Sequence, residues 1–385
     1  MRSSKGLLSG KQEAAGSNPV QSTIPAEQIS KRAGFVDKDW DIYNTKDQLQ
    51  RQTQILSDWK TCKYNRQEML HFIKKCEIEG IGVVQRLKYV YSFKSFLKVV
   101  NKDFRNVNER DIETFLYSLR NYKPSTKNGR WVGMRKFLRY IGKESVYKNL
   151  KPKFSANGRK LPEELLTEDE IKTLIKNVRG PRNKAIVSVL YESGCRIGEL
   201  LTRRVKHVVF DRLGGVLILD GKTGMRRIRL VNSVPLLATW LAHHPLRDEP
   251  ESFLWINQND QKNPIKHRAV YKLLEETSQR VGIKKKVHPH LFRHSRATHL
   301  AKFLTEQELK IYFGWTGGSG MASIYVHLSG KDIEDKILEI HGMKQPEHKE
   351  EVLKPIMCPR CERENDSTAR YCYRCGMMLL DCPQK

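Results

Sequence analysis

Between residues 40 and 148 the large apolar side chains return every three or four positions, and that spacing leaves the chain little choice but to pack helices. Met69, Leu70, Phe72, Ile73 and Cys76 make one stripe, and Val83, Val84, Leu87, Val90, Tyr91, Leu97 and Val100 make the next. Ile112, Phe115, Leu116 and Leu119, then Val132, Met134, Phe137, Leu138 and Ile141, complete the series. Residues three or four apart share one face of an α-helix, so each stripe has to be covered by another. The pattern predicts a compact bundle of four or five helices over 40–148. Its outward faces are basic (Lys74, Lys75, Arg86, Lys88, Arg135, Lys136), which suits either plain solvation or a surface that meets phosphate.

Charge narrows the partner. The 385 residues include 70 Lys and Arg against 43 Asp and Glu, a formal charge of +27. So large an excess makes a folded chain repel itself, and a polyanion is the usual reason to tolerate it, nucleic acid first among them. The expected partner is double-stranded DNA, bound with a steep salt dependence. The apolar share of 39% is enough for at least one sizeable core. No apolar run approaches the roughly 18 residues of a membrane span, and Met1–Lys11 mixes charge with Gly and Ser, so a cytoplasmic protein with no membrane partner is expected.

The remaining divisions follow from composition. Residues 1–38 are poor in large apolar groups and read as a mobile tail. Residues 149–162 hold Pro152, Asn157, Gly158 and a cluster of basic residues, a basic linker. Thr167-Glu168-Asp169-Glu170 then forms a capping box that opens a helix over 171–177. From 163 to 345 helices predominate, except where Val216–Leu219 and Arg227–Val231 flank Gly221-Lys222-Thr223-Gly224, the signal of a β-hairpin.

Four local patterns in that region carry chemistry. In Gly194-Cys195-Arg196-Ile197-Gly198-Glu199 an arginine follows an apolar helix on a glycine-flanked turn. It either points into a cleft or lies at the surface beside Glu199. Lys222, near the hairpin tip, is a solubilising residue or a flexible proton donor at a DNA backbone. In His288-Pro289-His290-Leu291-Phe292-Arg293-His294, His290 and Arg293 share a helix face and pair a group titrating near neutrality with a two-pronged phosphate ligand. A hydrolytic metal site does not fit, because Leu291 stands where the glutamate of a zinc protease would be and the segment has no carboxylate. The fourth pattern is Gly314-Trp315 followed by Ile324-Tyr325-Val326-His327, where the tyrosine is a core residue or a nucleophile.

Taken together, Arg196, Lys222, His290-x-x-Arg293, Trp315 and Tyr325 resemble, in order and spacing, the tyrosine recombinases of the phage integrase and Xer-like family. The resemblance is close over roughly 165–340 and looser over 45–148. It implies a mainly α fold with a small β-sheet: a helical core-binding domain over 40–148 and a catalytic domain over 163–345. It also implies a site-specific recombinase that cuts and rejoins DNA through a 3′-phosphotyrosine on Tyr325, in a homo-tetramer on two recombination sites. In that scheme His290 is the base, Arg196 and Arg293 neutralise the phosphate, Lys222 protonates the leaving 5′-oxygen, Trp315 packs against the phosphate and Glu199 orients the Arg196 loop. No cofactor serves the catalysis. Two departures stand out: Trp315 replaces the commoner histidine, and the hairpin reads Gly-Lys-Thr-Gly-Met-Arg-Arg, which leaves Lys222, Arg226 and Arg227 as candidates for its contact. A type IB-like topoisomerase and a non-catalytic DNA-binding regulator of the same fold are the alternatives.

Past a charged connector, Cys358-x-x-Cys361 and Cys372-x-x-Cys375 within 356–382 have the spacing of a zinc ribbon. Each pair sets two thiolates on one knuckle, and two knuckles close a tetrahedral site for structural zinc. A recombinase with such a tail resembles members from archaeal lineages.

Overall fold

The computed structural model of the chain describes residues 41–154, 164–221, 223–328, 337–338, 341–343 and 352–379. The tail expected at 1–38, much of the linker, Lys222 and most of 331–340 lie outside the described residues. The chain divides into two compact units, one over Asp39–Leu161 and one containing Pro162–Lys385.

In the first unit the apolar stripes form α1 (Thr45–Ser57), α2 (Lys63–Ile78), α3 (Val83–Leu97), α4 (Glu109–Ser118) and α5 (Pro124–Tyr140). Helix α4 starts at a capping box, with the Asp111 amide donating to the Asn108 side chain and the Asn108 amide to the Asp111 carboxylate. The core is aromatic. Phe137 meets Phe93 with ring centroids 4.7 Å apart and Phe72 at 5.5 Å, both edge to face, and Phe96 and Phe115 pair likewise. Such contacts add to the roughly 1.5–3 kcal/mol that each ring gains by leaving water. The stripe reading errs in detail. Val84 is 52% and Val132 is 37% exposed, and Trp131 takes the inner position on α5. Arg86, expected on the outer face, is buried and paired with Glu77 at 2.7 Å, its position on α3 turning it inward.

The larger unit opens with α6 (Glu168–Asn177) at the expected capping box, where the Glu170 amide donates to Thr167 Oγ1 and the Thr167 amide to Glu170 Oε2. Then come α7 (Pro181–Ser193), α8 (Ile197–Leu201), β1 (Val208–Asp211), β2 (Gly214–Gly221), β3 (Gly224–Leu230), α9 (Val234–Ala242), α10 (His267–Arg280), α11 (Pro289–Leu300), α12 (Glu306–Phe313) and α13 (Met321–Leu328). The sheet is antiparallel in the order β1-β2-β3, with Leu217 opposite Ile228 and Leu219 opposite Arg226. Strand β1 is absent from the sequence reading, since Val208-Val209-Phe210 is a short apolar run without alternation. The last described residues form β4 (Ile356–Met357) and β5 (Glu364–Asn365), with β5 lying against α9. No helix among the described residues is long and apolar enough to cross a membrane.

Candidate active site and cysteine cluster

Helix α7 ends at Gly194, whose φ of 53° is left-handed and whose Cβ, were there one, would lie 2.4 Å from Phe313 Cε1. Only glycine fits both demands. The turn it makes sets Arg196 at the start of α8. There Glu199 accepts from the Arg196 amide at 3.1 Å and pairs through Oε1 with Arg196 Nη1 at 2.7 Å. The Arg196 side chain is 38% exposed, so it reaches the surface while Glu199 stays buried. Glu192, one turn earlier, accepts from the amides of Val231 and Ser233, and its own carbonyl accepts from Tyr312 Oη and Arg296 Nε. It thereby ties the end of β3, α11 and α12 to the helix that carries the arginine turn.

Helix α11 begins at His288, whose ring nitrogen accepts from the Leu291 amide, with Pro289 at its first position. Arg293 projects inward and is 3% exposed. Its Nη1 donates to the Gly194 carbonyl at 2.9 Å and its Nη2 to the Phe313 carbonyl at 2.8 Å. The guanidinium also lies over the rings of Phe313 and Trp315, with Cζ 5.0 and 5.4 Å from their centroids. Burial, and then the neighbouring charge of Arg196, lower its pKa to about 10, so it stays a cation at neutral pH.

Trp315 follows α12 at the left-handed Gly314 and stacks flush on Tyr325, with centroids 5.3 Å apart and planes 4° apart. Tyr325 is 3% exposed. Its hydroxyl and His294 Nδ1 share a hydrogen bond of 2.5 Å, and His294 in turn stacks on His290 at 5.7 Å. Burial pushes the phenol up to about 12, with Arg293 pulling the other way.

The structure thus gathers Arg196, Arg293, Trp315 and Tyr325 around the α11–α12 corner. His290 is exposed on the same helix and stacks on His294, which bonds the phenol. Sequence reasoning gave His294 no role in the reaction; its place one turn after His290 was the available signal. Of the hairpin candidates, Arg226 enters the site, pairing with Glu199 Oε2 at 2.6 Å.

Cys358, Cys361, Cys372 and Cys375 face one another. All their sulfurs lie within 4.8 Å, with Cys358 to Cys375 and Cys361 to Cys372 both at 3.5 Å. The cluster can hold a metal ion.

The fold is similar to that in a lambda integrase dimer bound to a COC′ core site, with a TM-score of 0.57, covering 79% of this chain and 89% of that one at 13% identity. A model of the phage integrase family matches residues 164–331, which include Arg196, Arg293, Trp315 and Tyr325. A tyrosine recombinase of Thermosipho africanus is 28% identical over 270 residues, 66% of this chain and 91% of that protein. Tyrosine recombinase XerA of Pyrococcus horikoshii is 26% identical over 239 residues, 60% of this chain and 78% of that protein. Residues 164–331 thus carry the pattern of the phage integrase family, and the chain is similar to enzymes of the tyrosine recombinase class.

Proposed function

We propose that this chain is a site-specific DNA recombinase in which Tyr325 is the nucleophile. The phenolic oxygen attacks a DNA phosphorus, the Oη–P bond forms and the bond from phosphorus to the 5′-oxygen breaks. The phenol proton passes to the histidine pair His294 and His290, and Lys222 returns a proton to the departing 5′-oxygen. Arg196 and Arg293 neutralise the charge that grows on the non-bridging oxygens, where preorganised cations in a dry site contribute most. Trp315 packs beside the phosphate. The 3′-phosphotyrosine keeps the bond energy for rejoining, so no cofactor enters the cycle. One observation carries this reading: within an integrase-family domain, Trp315 contacts both the buried Arg293 guanidinium and Tyr325. Exchanging two duplexes requires four cuts, and one tyrosine per chain calls for a tetramer on two sites.

The test is covalent capture. On a nicked suicide substrate carrying the recognition site, the chain should form a 3′ adduct that Tyr325→Phe abolishes, and strand exchange should follow. An adduct with relaxation of supercoils alone would mark a topoisomerase; no adduct on bound DNA would mark a regulator.

We also propose that Cys358, Cys361, Cys372 and Cys375 hold a structural zinc. Zinc–thiolate bonds of about 2.3 Å place four tetrahedral sulfurs roughly 3.8 Å apart, which suits sulfurs found at 3.5 Å and beyond. Four thiolates close the coordination sphere, so the metal would fold the ribbon without touching the reaction.

A further inference from the structure

Arg226 is the least expected charge in the larger unit. It sits in β3, its side chain is 9% exposed, and all three of its nitrogens are committed to the interior. Nη2 meets Glu199 Oε2 at 2.6 Å, and Nε donates to the Tyr312 carbonyl at 3.1 Å. Nη1 is buried with no acceptor among the described residues. Two glycines close around it. A Cβ on Gly314 would stand 3.0 Å from Nη1, and one on Gly221 would stand 2.6 Å from Glu199 Oε1 and 3.3 Å from Nη1. Thr223 Oγ1 donates to the Gly314 carbonyl at 3.3 Å, joining the hairpin to the same turn.

This arrangement is poor value as a stabiliser. A buried ion pair does little better than well-packed apolar side chains of the same volume, and an orphaned donor is a cost without return. What it does supply is geometry. The Glu199 carboxylate is shared: Oε1 takes the Arg196 guanidinium, while Oε2 takes both the Arg196 amide and the Arg226 guanidinium, so the two side chains hold it from opposite oxygens. The planar fork of Arg226 simultaneously grips the last turn of α12, three residues before Trp315.

We propose that Arg226 is a positioning residue for strand cleavage: it clamps Glu199 from the side opposite Arg196 and ties the hairpin and the Gly314–Trp315 turn to that carboxylate. Arg196 is thereby aimed and Trp315 is held in register. The inference rests on the recombinase reading above, but the two fail differently. If wild-type protein forms no adduct, the recombinase reading falls; if wild type reacts and the variants below react equally, only the role of Arg226 falls.

The experiment measures single-turnover adduct formation and DNA affinity for Arg226→Met, Arg226→Lys, Glu199→Gln and the corresponding doubles. Arg226→Met should slow cleavage at least tenfold with affinity changed by less than about threefold, and Arg226→Lys should recover part of the loss. Because both residues act on Arg196 through one carboxylate, the double variants should be no slower than the worse single, a non-additivity that independent sites do not show. A purely structural Arg226 would lower the melting temperature and leave the rate per folded molecule unchanged. That result, or defects that multiply in the double variants, overturns the proposal. Should Arg226→Met fail to fold, the cycle built on Arg226→Lys and Glu199→Gln decides the same question.

Discussion

The bundle over Asp39–Leu161 and the unit that contains Pro162–Lys385 bury different chemistry. Six phenylalanines fill the bundle, with Asn65, Arg86 and Ser92 as its buried polar residues among those described. The larger unit buries Arg182, Arg203, Arg293, Arg296, Glu192 and Glu199. Desolvating so many charges is expensive, and each needs partners in place to be tolerated. Arg293 finds them in two main-chain carbonyls, Glu192 in backbone amides, and Glu199 in two guanidiniums. The bundle's interior is almost wholly apolar; the larger unit accepts a costlier interior where charge must be aimed.

Paired substitutions would break that contrast most visibly. Arg293→Ala should slow adduct formation by about 10²–10³ or more, as loss of a preorganised charge does. It should also lower stability by about 1–3 kcal/mol, because the Gly194 and Phe313 carbonyls lose their donors. Phe137→Ala should cost about 3–5 kcal/mol through the cavity it leaves, yet keep the single-turnover rate of the folded fraction at saturating DNA. Urea unfolding and suicide-substrate kinetics on both variants check the pair; a large kinetic defect in Phe137→Ala would erase the distinction.

A smaller effect concerns pH. With the folded phenol of Tyr325 raised from 10.0 to about 12, the neutral form is favoured by the folded state. Its contribution to stability is fully present below the unfolded value and is lost as pH rises through the folded one. Relative to Tyr325→Phe, wild type should therefore lose on the order of 2 kcal/mol between about pH 10 and pH 12. Urea midpoints across that range measure it. Tyr191 and Tyr312, also raised by burial, are common to both proteins and cancel. Curves that run parallel would put the phenol in water.

The smallest effect on catalysis should come from removing the zinc proposed for the cysteine cluster. Chelation should release one zinc per chain, unfold residues around Cys358–Cys375, and change the adduct rate by less than about twofold. Zinc release followed with a colorimetric chelator, alongside cleavage kinetics, would show whether the cluster stands apart from the α11–α12 corner.

Local features of this architecture were readable in the chain because they arise from neighbours in sequence. The stripes that bury Phe72, Val90 and Phe137, the Thr167–Glu170 capping box and the β2–β3 turn are all settled within a few residues. The candidate site was readable as a set of names, from the ordered motifs at Arg196, His290–Arg293, Trp315 and Tyr325. Who touches whom was not. The Tyr325–His294 bond spans 31 residues, the Arg226–Glu199 pair 27, and the Arg293–Gly194 bond 99. Such pairings depend on how α11 crosses α7 and how β3 lies beside α8, which no local pattern encodes. The same limit explains Arg86, whose charge predicts exposure while its position on α3 places it inside.

The seat of Tyr325 has a consequence for the free chain. Wedged flat against an indole and hydrogen-bonded to an imidazole, the hydroxyl offers almost nothing to solvent. On the recombinase reading proposed above, that is a sheathed blade: cleavage is confined to whatever DNA complex can draw the ring out.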